Sequence, residues 1–226
     1  NEEYYMNLIA DAMEPYLEAA GIAYTRNNPA LTVGNSVRQS NAGNYDLHLA
    51  IHSNASAESM AGENQGSQIY YYLGSAAGEK AAAILAANIK TIYPYPELVQ
   101  TIPTRSLYEL AHTNAPSVLS EIAFHDNEED ATWITNNIDA IARALVMSLT
   151  TYFDIPFVNP GSSRLGTVAT AGFDVNIRET PSFSGNILGV VPNGAQLQIT
   201  ASDGDWYKVN YAGISGYIYG GYIILM

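Results

Sequence analysis

"LHLAIHSNA", residues Leu47 to Ala55, is the stretch on which the fold turns. An apolar run that closes on a histidine and gives way to Ser-Asn-Ala reads as a strand ending at a loop. In open α/β sheets functional groups gather where strand ends meet loops at the carboxyl edge. His52 therefore stands where a functional group is expected, and a metal ligand and a histidine that the strand merely buries are the two even readings. His48 lies four residues earlier. On a helix the two imidazoles meet, whereas on a strand they are about 13 Å apart at roughly 3.3 Å per residue. One metal does not take both, and His48 reads as a packed or hydrogen-bonded side chain.

Upstream, "YYMNLIADAMEPYLEAA" places Met6, Ile9, Met13, Tyr16 and Leu17 at helical spacing, and Gly21 follows as a stop. "GIAYTR" reads as a short strand, and "NSVRQSNAGNYD" as a brief helix capped by Asn35 or Ser36. Downstream, "GSQIYYYLG" is a second strand. "SAAGEKAAAILAANIKTIY" is an alanine-rich helix with a serine cap, and a proline-bearing loop comes next. "SLYELAHT" is a short helix, "PSVLSEIAF" a buried strand, and "NEEDATWITNNIDAIARALVMSLTTYF" one long amphipathic helix. Helices alternating with apolar strands predict an α/β fold with a mostly parallel sheet. Because the pattern opens on a helix, a first strand is expected upstream of Asn1.

After Phe153 the texture changes: "DIPFVNPGSS" is rich in proline, glycine and serine and has no periodicity. Short β-type runs separated by Gly, Asp and Asn turns follow, as in "FDVNIRE", "QLQITAS" and "WYKVNYA". About sixty such residues suit a small barrel. The expected division is a catalytic-type domain over 1–156, a linker over 157–164 and a small all-β domain over 165–226.

Composition narrows the function. The net charge is -13, with nine basic residues against 22 acidic ones and no Lys/Arg cluster, so nucleic acid is not an expected partner. No apolar run reaches the roughly 18 residues of a membrane span. Asn1 opens on an acidic amphipathic stretch rather than a signal peptide, so the chain reads as a mature or trimmed product. Cysteine is absent, which leaves histidine and carboxylate as the side chains for a zinc ion.

Glu121 sits inside the strand "PSVLSEIAF", where a carboxylate is costly unless it is paired or bound. It is either half of a buried ion pair or a general base aimed at a water. His125 follows where that strand ends. Asn127 is placed to cap the last helix, and Glu128, Glu129 and Asp130 suit its positive end. Glu3 stands in the first turn of the first helix, where the dipole alone favours an acid.

Four blocks, "EEYYMNLIADAMEPYLEAAGIAYTR", "SVRQSN", "YDLHLAIHSNA" and "LAHTNAPSVLSEIAFHDNEEDA", resemble in order and spacing the zinc-dependent N-acetylmuramoyl-L-alanine amidases of the amidase-3 type, bacterial cell-wall hydrolases. The resemblance spans residues 1–153. It implies a peptidoglycan hydrolase that cuts the amide between N-acetylmuramic acid and L-alanine of the stem peptide with a metal-bound water. The same resemblance makes Glu3 and His52 zinc ligands and Glu121 the catalytic base. The family's other histidine precedes the glutamate, and nothing ahead of Asn1 matches it. An upstream strand, His125 or a water in its place, and a weakened metal site all stay open.

"VNIRETPSFSGNILGVVPNGAQLQI" and "GDWYKVNYAGISGYI" resemble a bacterial SH3 domain over 165–226, with Glu179 and Thr180 departing from the usual pattern after Arg178. That resemblance implies cell-wall peptide binding. Trp206, Tyr207 and Tyr217 are the candidates for wall contact, weighed evenly against plain barrel core. The expected protein is secreted or cell-wall associated and monomeric, with peptidoglycan as its partner. Two rivals are a wall-binding protein with impaired catalysis and a metal-dependent cell-wall peptidase.

Overall fold

The computed structural model describes residues 1–161 and 164–226; Ser162 and Ser163 of the expected linker lie outside the described residues. The chain divides into two compact units, Asn1–Met13 with Thr25–Ile155, and Glu14–Tyr24 with Pro156–Met226. The second unit thus takes the end of the first helix as well as the β region, a grouping that the sequence pattern does not announce.

In the first unit the elements run α1 (Glu2–Ala20, shared with the second unit), α2 (Val33–Ala42), β1 (His48–Asn54), β2 (Gln68–Tyr72), α3 (Ala76–Ile89), β3 (Gln100–Thr104), α4 (Tyr108–His112), β4 (Ser117–Phe124), α5 (Glu128–Asn136) and α6 (Ile138–Phe153). The sheet order is β1-β4-β2-β3. β1 runs parallel to β4 and β2 parallel to β3, while β2 is antiparallel to β4. β4 is central and nearly all buried, so its apolar residues carry the core: Val118, Ile122 and Ala123 are inaccessible, as is Ile69 on β2. α3 presents Ala81, Ala82, Leu85, Ala86 and Ile89 to that core, and small alanines let it pack closely on the sheet. Its cap is Ser75, whose side chain accepts from the Gly78 amide. No helix among the described residues is long and apolar enough to cross a membrane.

Register fixes the functional row. His52 lies opposite Glu121 on β4, and Glu121 lies opposite Gln68 on β2. Two residues back, Ala50 faces Leu119, which faces Tyr70. Side chains two apart share a sheet face, so His48, Ala50, His52, Leu119, Glu121 and Gln68 stand together on the face opposite Val118 and Ile122.

Several local expectations are corrected. "GIAYTR" forms no strand: Gly21 turns the chain at φ 72° and Arg26 folds back to donate to Asp11 and Asn7. The α2 cap is Thr32, not Asn35 or Ser36, because the Thr32 carbonyl already accepts from both of their amides. The long final helix breaks at Asn137, whose side chain bonds the Trp133 carbonyl and whose ψ of 25° leaves helical geometry. β3 occupies the proline-bearing loop as an edge strand, which is where a proline is tolerated.

Asp130 does more than suit a helix dipole. It is 1% exposed and accepts from the Gly66 amide at 3.0 Å, the Phe124 amide at 2.9 Å and the Tyr93 hydroxyl. It thereby clamps the start of β2 to the end of β4.

In the second unit, β5 (Arg164–Val168), β6 (Val175–Arg178), β7 (Ile187–Val191), β8 (Gln196–Asp203), β9 (Trp206–Tyr211), β10 (Ile214–Tyr219) and β11 (Ile223–Leu225) form one sheet in the order β11-β5-β8-β9-β10-β6-β7. Its strand pairs are antiparallel. Val168, Val175, Ile177, Val191, Leu197, Ile199, Val209 and Ile218 fill it. Ala212 and Gly213, both at positive φ, make the tight turn from β9 to β10.

Asp130→Ala strips three buried donors of their acceptor. A loss of about 3 kcal/mol is expected, since each orphaned group costs about 1–3 kcal/mol and the loop partly relaxes. Urea denaturation of the variant against wild type measures it.

Candidate active site

The carboxyl ends of β1 and β4 hold the titratable cluster. His52 Nδ1 lies 3.1 Å from Glu2 Oε1, which also accepts from the Ser53 amide at 3.1 Å. The acid that meets His52 is Glu2, not Glu3. Helical periodicity explains the choice: Glu2 lines up with the buried Met6, Ile9 and Met13, whereas Glu3 is turned a further 100° toward solvent. His125 accompanies Ser53, with Nδ1 at 3.0 Å from both its hydroxyl and its carbonyl oxygen, and its charge acts on Glu121.

Glu121 lies across the β1–β4 pairing from His52, and its Oε2 is buried with no hydrogen-bond partner. Burial pushes its pKa upward, against the pull of the His52 charge, and the Glu2 carboxylate adds to the rise. A carboxyl in that state is suited to take up a proton and release it again.

On the far side of the imidazole stands Glu109, which the sequence reading passed over. It is 8% exposed, on the first turn of α4. Its Oε1 is 3.0 Å from His48 Nε2, and its Oε2 is 3.5 Å from His52 Nε2. The histidines four apart on β1 therefore lean toward each other until one carboxylate touches both. An acid in the otherwise apolar run "LYELA" was the available signal. The Glu109 contact is the main reason why His52 is raised to about 9; its own burial opposes this, and the Glu121 charge reinforces it. Burial would raise Glu109 too, yet hydrogen bonds and charge from His48 and His52 outweigh it and hold the carboxyl at about 2.

The loop after β1 is pinned beside this cluster. Asp126 accepts from the Gly62 amide at 2.9 Å and the Ser56 amide at 3.1 Å, and these bonds, led by Gly62, hold its pKa at about 2.

The donor chemistry suits a zinc ion in part. Neighbouring donors of a tetrahedral zinc with bonds near 2.1 Å are about 3.4 Å apart, and the Glu2 oxygen and His52 Nδ1 are 3.1 Å apart. Among the described residues no three of His, Cys, Asp and Glu are grouped to hold a metal.

In the β unit, Phe173, Phe183, Trp206, Tyr219 and Tyr222 line a cavity of about 190 Å³, with Asp174 and Arg178 also at its wall. Phe183 is 58% exposed and sits edge-on to Trp206 with ring centroids 4.8 Å apart. Of the three aromatic residues expected at a wall contact, Trp206 lines this cavity. Tyr207 instead packs on the barrel core, and Tyr217 pairs across the sheet with Lys208 and Arg178.

The pH response of the metal-free protein follows from these shifts. A raised histidine contributes stability in full below its unfolded value near 6.5 and loses it as pH rises through about 9. The depressed Glu109 contributes above its unfolded value near 4.5 and loses that contribution as pH falls through about 2. The melting temperature of wild type is therefore expected to fall between neutral pH and about pH 10, and that of His52→Ala to fall less. Parallel thermal melts check this.

Comparison with known proteins bears on both units. The sequence profile of the N-acetylmuramoyl-L-alanine amidases matches residues 1–151, and that of the bacterial SH3 domain matches residues 174–224. The catalytic domain of the CD27L endolysin targeting Clostridia difficile superposes with a TM-score of 0.56 at 23% identity, covering 70% of this chain and 86% of that one. The N-acetylmuramoyl-L-alanine amidase AmiC2 of Nostoc punctiforme gives 0.59 at 19% identity, with 68% and 84% covered. Cwp6 from Clostridium difficile gives 0.57 at 25% identity over 67% of this chain and 25% of that chain. Bacteriocin BCN5 of Clostridium perfringens is 36% identical over 61 residues, 27% of this chain, and the chain spans 7% of that curated relative's length. The structural likenesses establish the fold, and the profile over two thirds of the sequence establishes the lineage: the chain belongs to the N-acetylmuramoyl-L-alanine amidase family of peptidoglycan hydrolases and carries a bacterial SH3 domain.

Proposed function

We propose that the chain hydrolyses the amide between N-acetylmuramic acid and the L-alanine of the peptidoglycan stem peptide, with Glu121 as general base. The observation that carries this reading is the partnerless, buried Glu121 Oε2 on the strand pairing that sets Glu121 across from His52. Glu121 takes a proton from the attacking water as the water oxygen bonds to the scissile carbonyl carbon. It then returns that proton to the L-alanine nitrogen as the C–N bond breaks. Burial supports both halves, because it raises the pKa of Glu121 and so makes the carboxylate a better proton acceptor than an exposed one.

His52 and Glu2 are the residues that would hold a zinc ion, and Glu2 takes the place that the family pattern gives to Glu3. When bound, such an ion polarises the carbonyl and lowers the pKa of water. The tethered loop after β1 borders the cleft and limits access to it. For the barrel we assign wall contact to the aromatic cavity, because ring faces and a rim of Asp174 and Arg178 suit a peptide or sugar with both apolar and polar edges. This reading places the protein outside the cell or on the wall.

A second reading has one observation in its favour: the described residues group no three metal donors. On that reading the unit holds peptidoglycan without cutting it. Turbidity loss of purified cell walls separates the two. Wild type is expected to clear them in the presence of zinc, and Glu121→Gln to be slower by about 10²–10⁴-fold, the usual contribution of a general base. Equal inertness of both proteins would establish the binder. Free lactyl carboxyls on muramic acid among the products identify amidase rather than peptidase cleavage. Phe183→Ala is expected to weaken pelleting with walls by about tenfold without slowing turnover of a soluble muropeptide, as loss of an exposed aromatic anchor does.

A further inference from the structure

A donor on the site face of the sheet has its direction fixed and no acceptor to meet it. Gln68 opens β2, half-buried, directly across the antiparallel β2–β4 pair from Glu121. Opposed residues of such a pair have Cβ atoms about 4.5–5.5 Å apart. A backbone amide settles which way the Gln68 side chain is turned. The Ala55 N–H donates to Asn54 Oδ1 at 2.9 Å, so the other end of the Asn54 amide, Nδ2, is the one that meets Gln68, at 2.8 Å. A donor there requires the Gln68 oxygen opposite it, and the Tyr70 hydroxyl reaches the same Oε1 at 2.6 Å. Burial, joined by the Glu121 charge, raises the Tyr70 pKa and so keeps the hydroxyl proton in place for that bond. Two donors fill the two lone pairs of Oε1. Nε2 keeps two N–H groups, and no oxygen among the described residues accepts from either.

Glu121 Oε2 is the complementary orphan, buried and without a partner. The donor and the acceptor are in register on adjacent strands and are not bonded to each other. They match a pair of groups held between them. Amide hydrolysis by a general base brings such a pair: a water donates to the base and bonds to a carbonyl carbon, whose oxygen gathers negative charge and needs a donor.

We propose that Gln68 Nε2 donates to the oxygen of the scissile carbonyl, which makes Gln68 a catalytic residue that stabilises the oxyanion while Glu121 serves the water. That the carbonyl is the scissile one rests on the reading of Glu121 as general base. Asn54 and Tyr70 are positioning residues. They hold the amide with its nitrogen left for substrate, and a donor fixed in advance needs little reorganisation when charge develops.

Steady-state hydrolysis of a soluble muropeptide separates this role from that of a side chain that only straps the end of β1 to β2. Gln68→Glu keeps an oxygen for Asn54 and Tyr70 but removes the donor, whereas Gln68→Met removes both. Each is expected to lose about 10²–10³-fold in kcat at its own pH optimum with KM little changed, the usual effect of losing one oxyanion donor. Comparison at the optimum discounts the effect of a second carboxylate on Glu121. Gln68→Glu with the kcat of wild type overturns the proposal, because that variant preserves the strap. A loss confined to KM overturns it as well. The contact is also read without turnover, in wild type with ¹⁵N-labelled side-chain amides, stripped of metal so that the peptide stays whole. N-acetylmuramoyl-L-alanyl-D-isoglutamine is expected to move a Gln68 Nε2–H proton downfield and slow its exchange, and the Gln68→Met spectrum assigns the signal. A Gln68 signal that millimolar peptide leaves in place overturns the proposal whether or not any variant folds. A wild type whose signal moves but which cuts no muropeptide in the presence of zinc leaves Gln68 as the donor to the bound carbonyl and overturns the hydrolase reading of the preceding section instead.

Discussion

The parallel pairing of β1 with β4 sets His52 against Glu121, and the rest of the site depends on that register. Side chains along a strand alternate faces, so a slip by one residue would send Glu121 into the apolar core and bring Ile122 into the cleft. The apolar residues prevent it. Val118 and Ile122 are inaccessible on the opposite face, and exposing them would forfeit about 2 kcal/mol each. The geometry of the proposed catalytic pair is thus held by residues with no chemistry of their own. Asp130 completes the arrangement by tying the β4 end to the start of β2, the strand that brings Gln68 beside Glu121.

Electrostatics then shapes what this frame can do. Glu2, Glu109 and Glu121 all act on one imidazole, in a protein whose net charge is -13. Three acids around one ring favour a cation in their midst, and in the metal-free state the proton on His52 supplies it, which is why its pKa stands near 9. The acids are not equivalent. Glu109 has two imidazole partners and stays ionised, whereas Glu121 has an oxygen with no partner and is pushed the other way. Environments that drive two carboxyls apart suit them to different work, and under the proposed function Glu109 holds the imidazoles while Glu121 exchanges a proton.

The sequence made some of this legible and concealed the rest for identifiable reasons. The strand at Leu47–Ala55, the buried Glu121, the Ser75 and Asn127 caps and the short β runs of the barrel follow from periodicity and local hydrogen bonding, which act over a few residues, although the last run, "SGYIYGGYIILM", divides into two strands. That Glu2 rather than Glu3 meets His52 is a matter of helix phase, since one step along a helix start rotates the side chain by 100°. Glu109 was hidden because its partners are 61 and 57 positions away, brought near only when α4 packs on the sheet. His48 and His52 were separated by counting Cα rise along a strand, a measure that ignores how long side chains lean toward a shared carboxylate. The break at Asn137 and the irregular path of "GIAYTR" depend on single side chains, Asn137 and Arg26, bonding back to their own neighbourhood.

The proposed division of labour between the two units has a physical logic in the nature of the substrate. Peptidoglycan is a repeating polymer, so a weak site on a barrel joined to a hydrolase keeps the cutting site among many equivalent bonds, and the second contact is made at a high effective concentration. Such a barrel needs modest affinity and a sequence-tolerant surface, and rings with mixed edges offer that better than a charged pocket does. The chemical unit needs the opposite, a few groups whose positions are over-determined. The contrast is visible in the residues: Phe183 stands 58% exposed at the barrel cavity, whereas Glu109 is 8% exposed with both oxygens engaged.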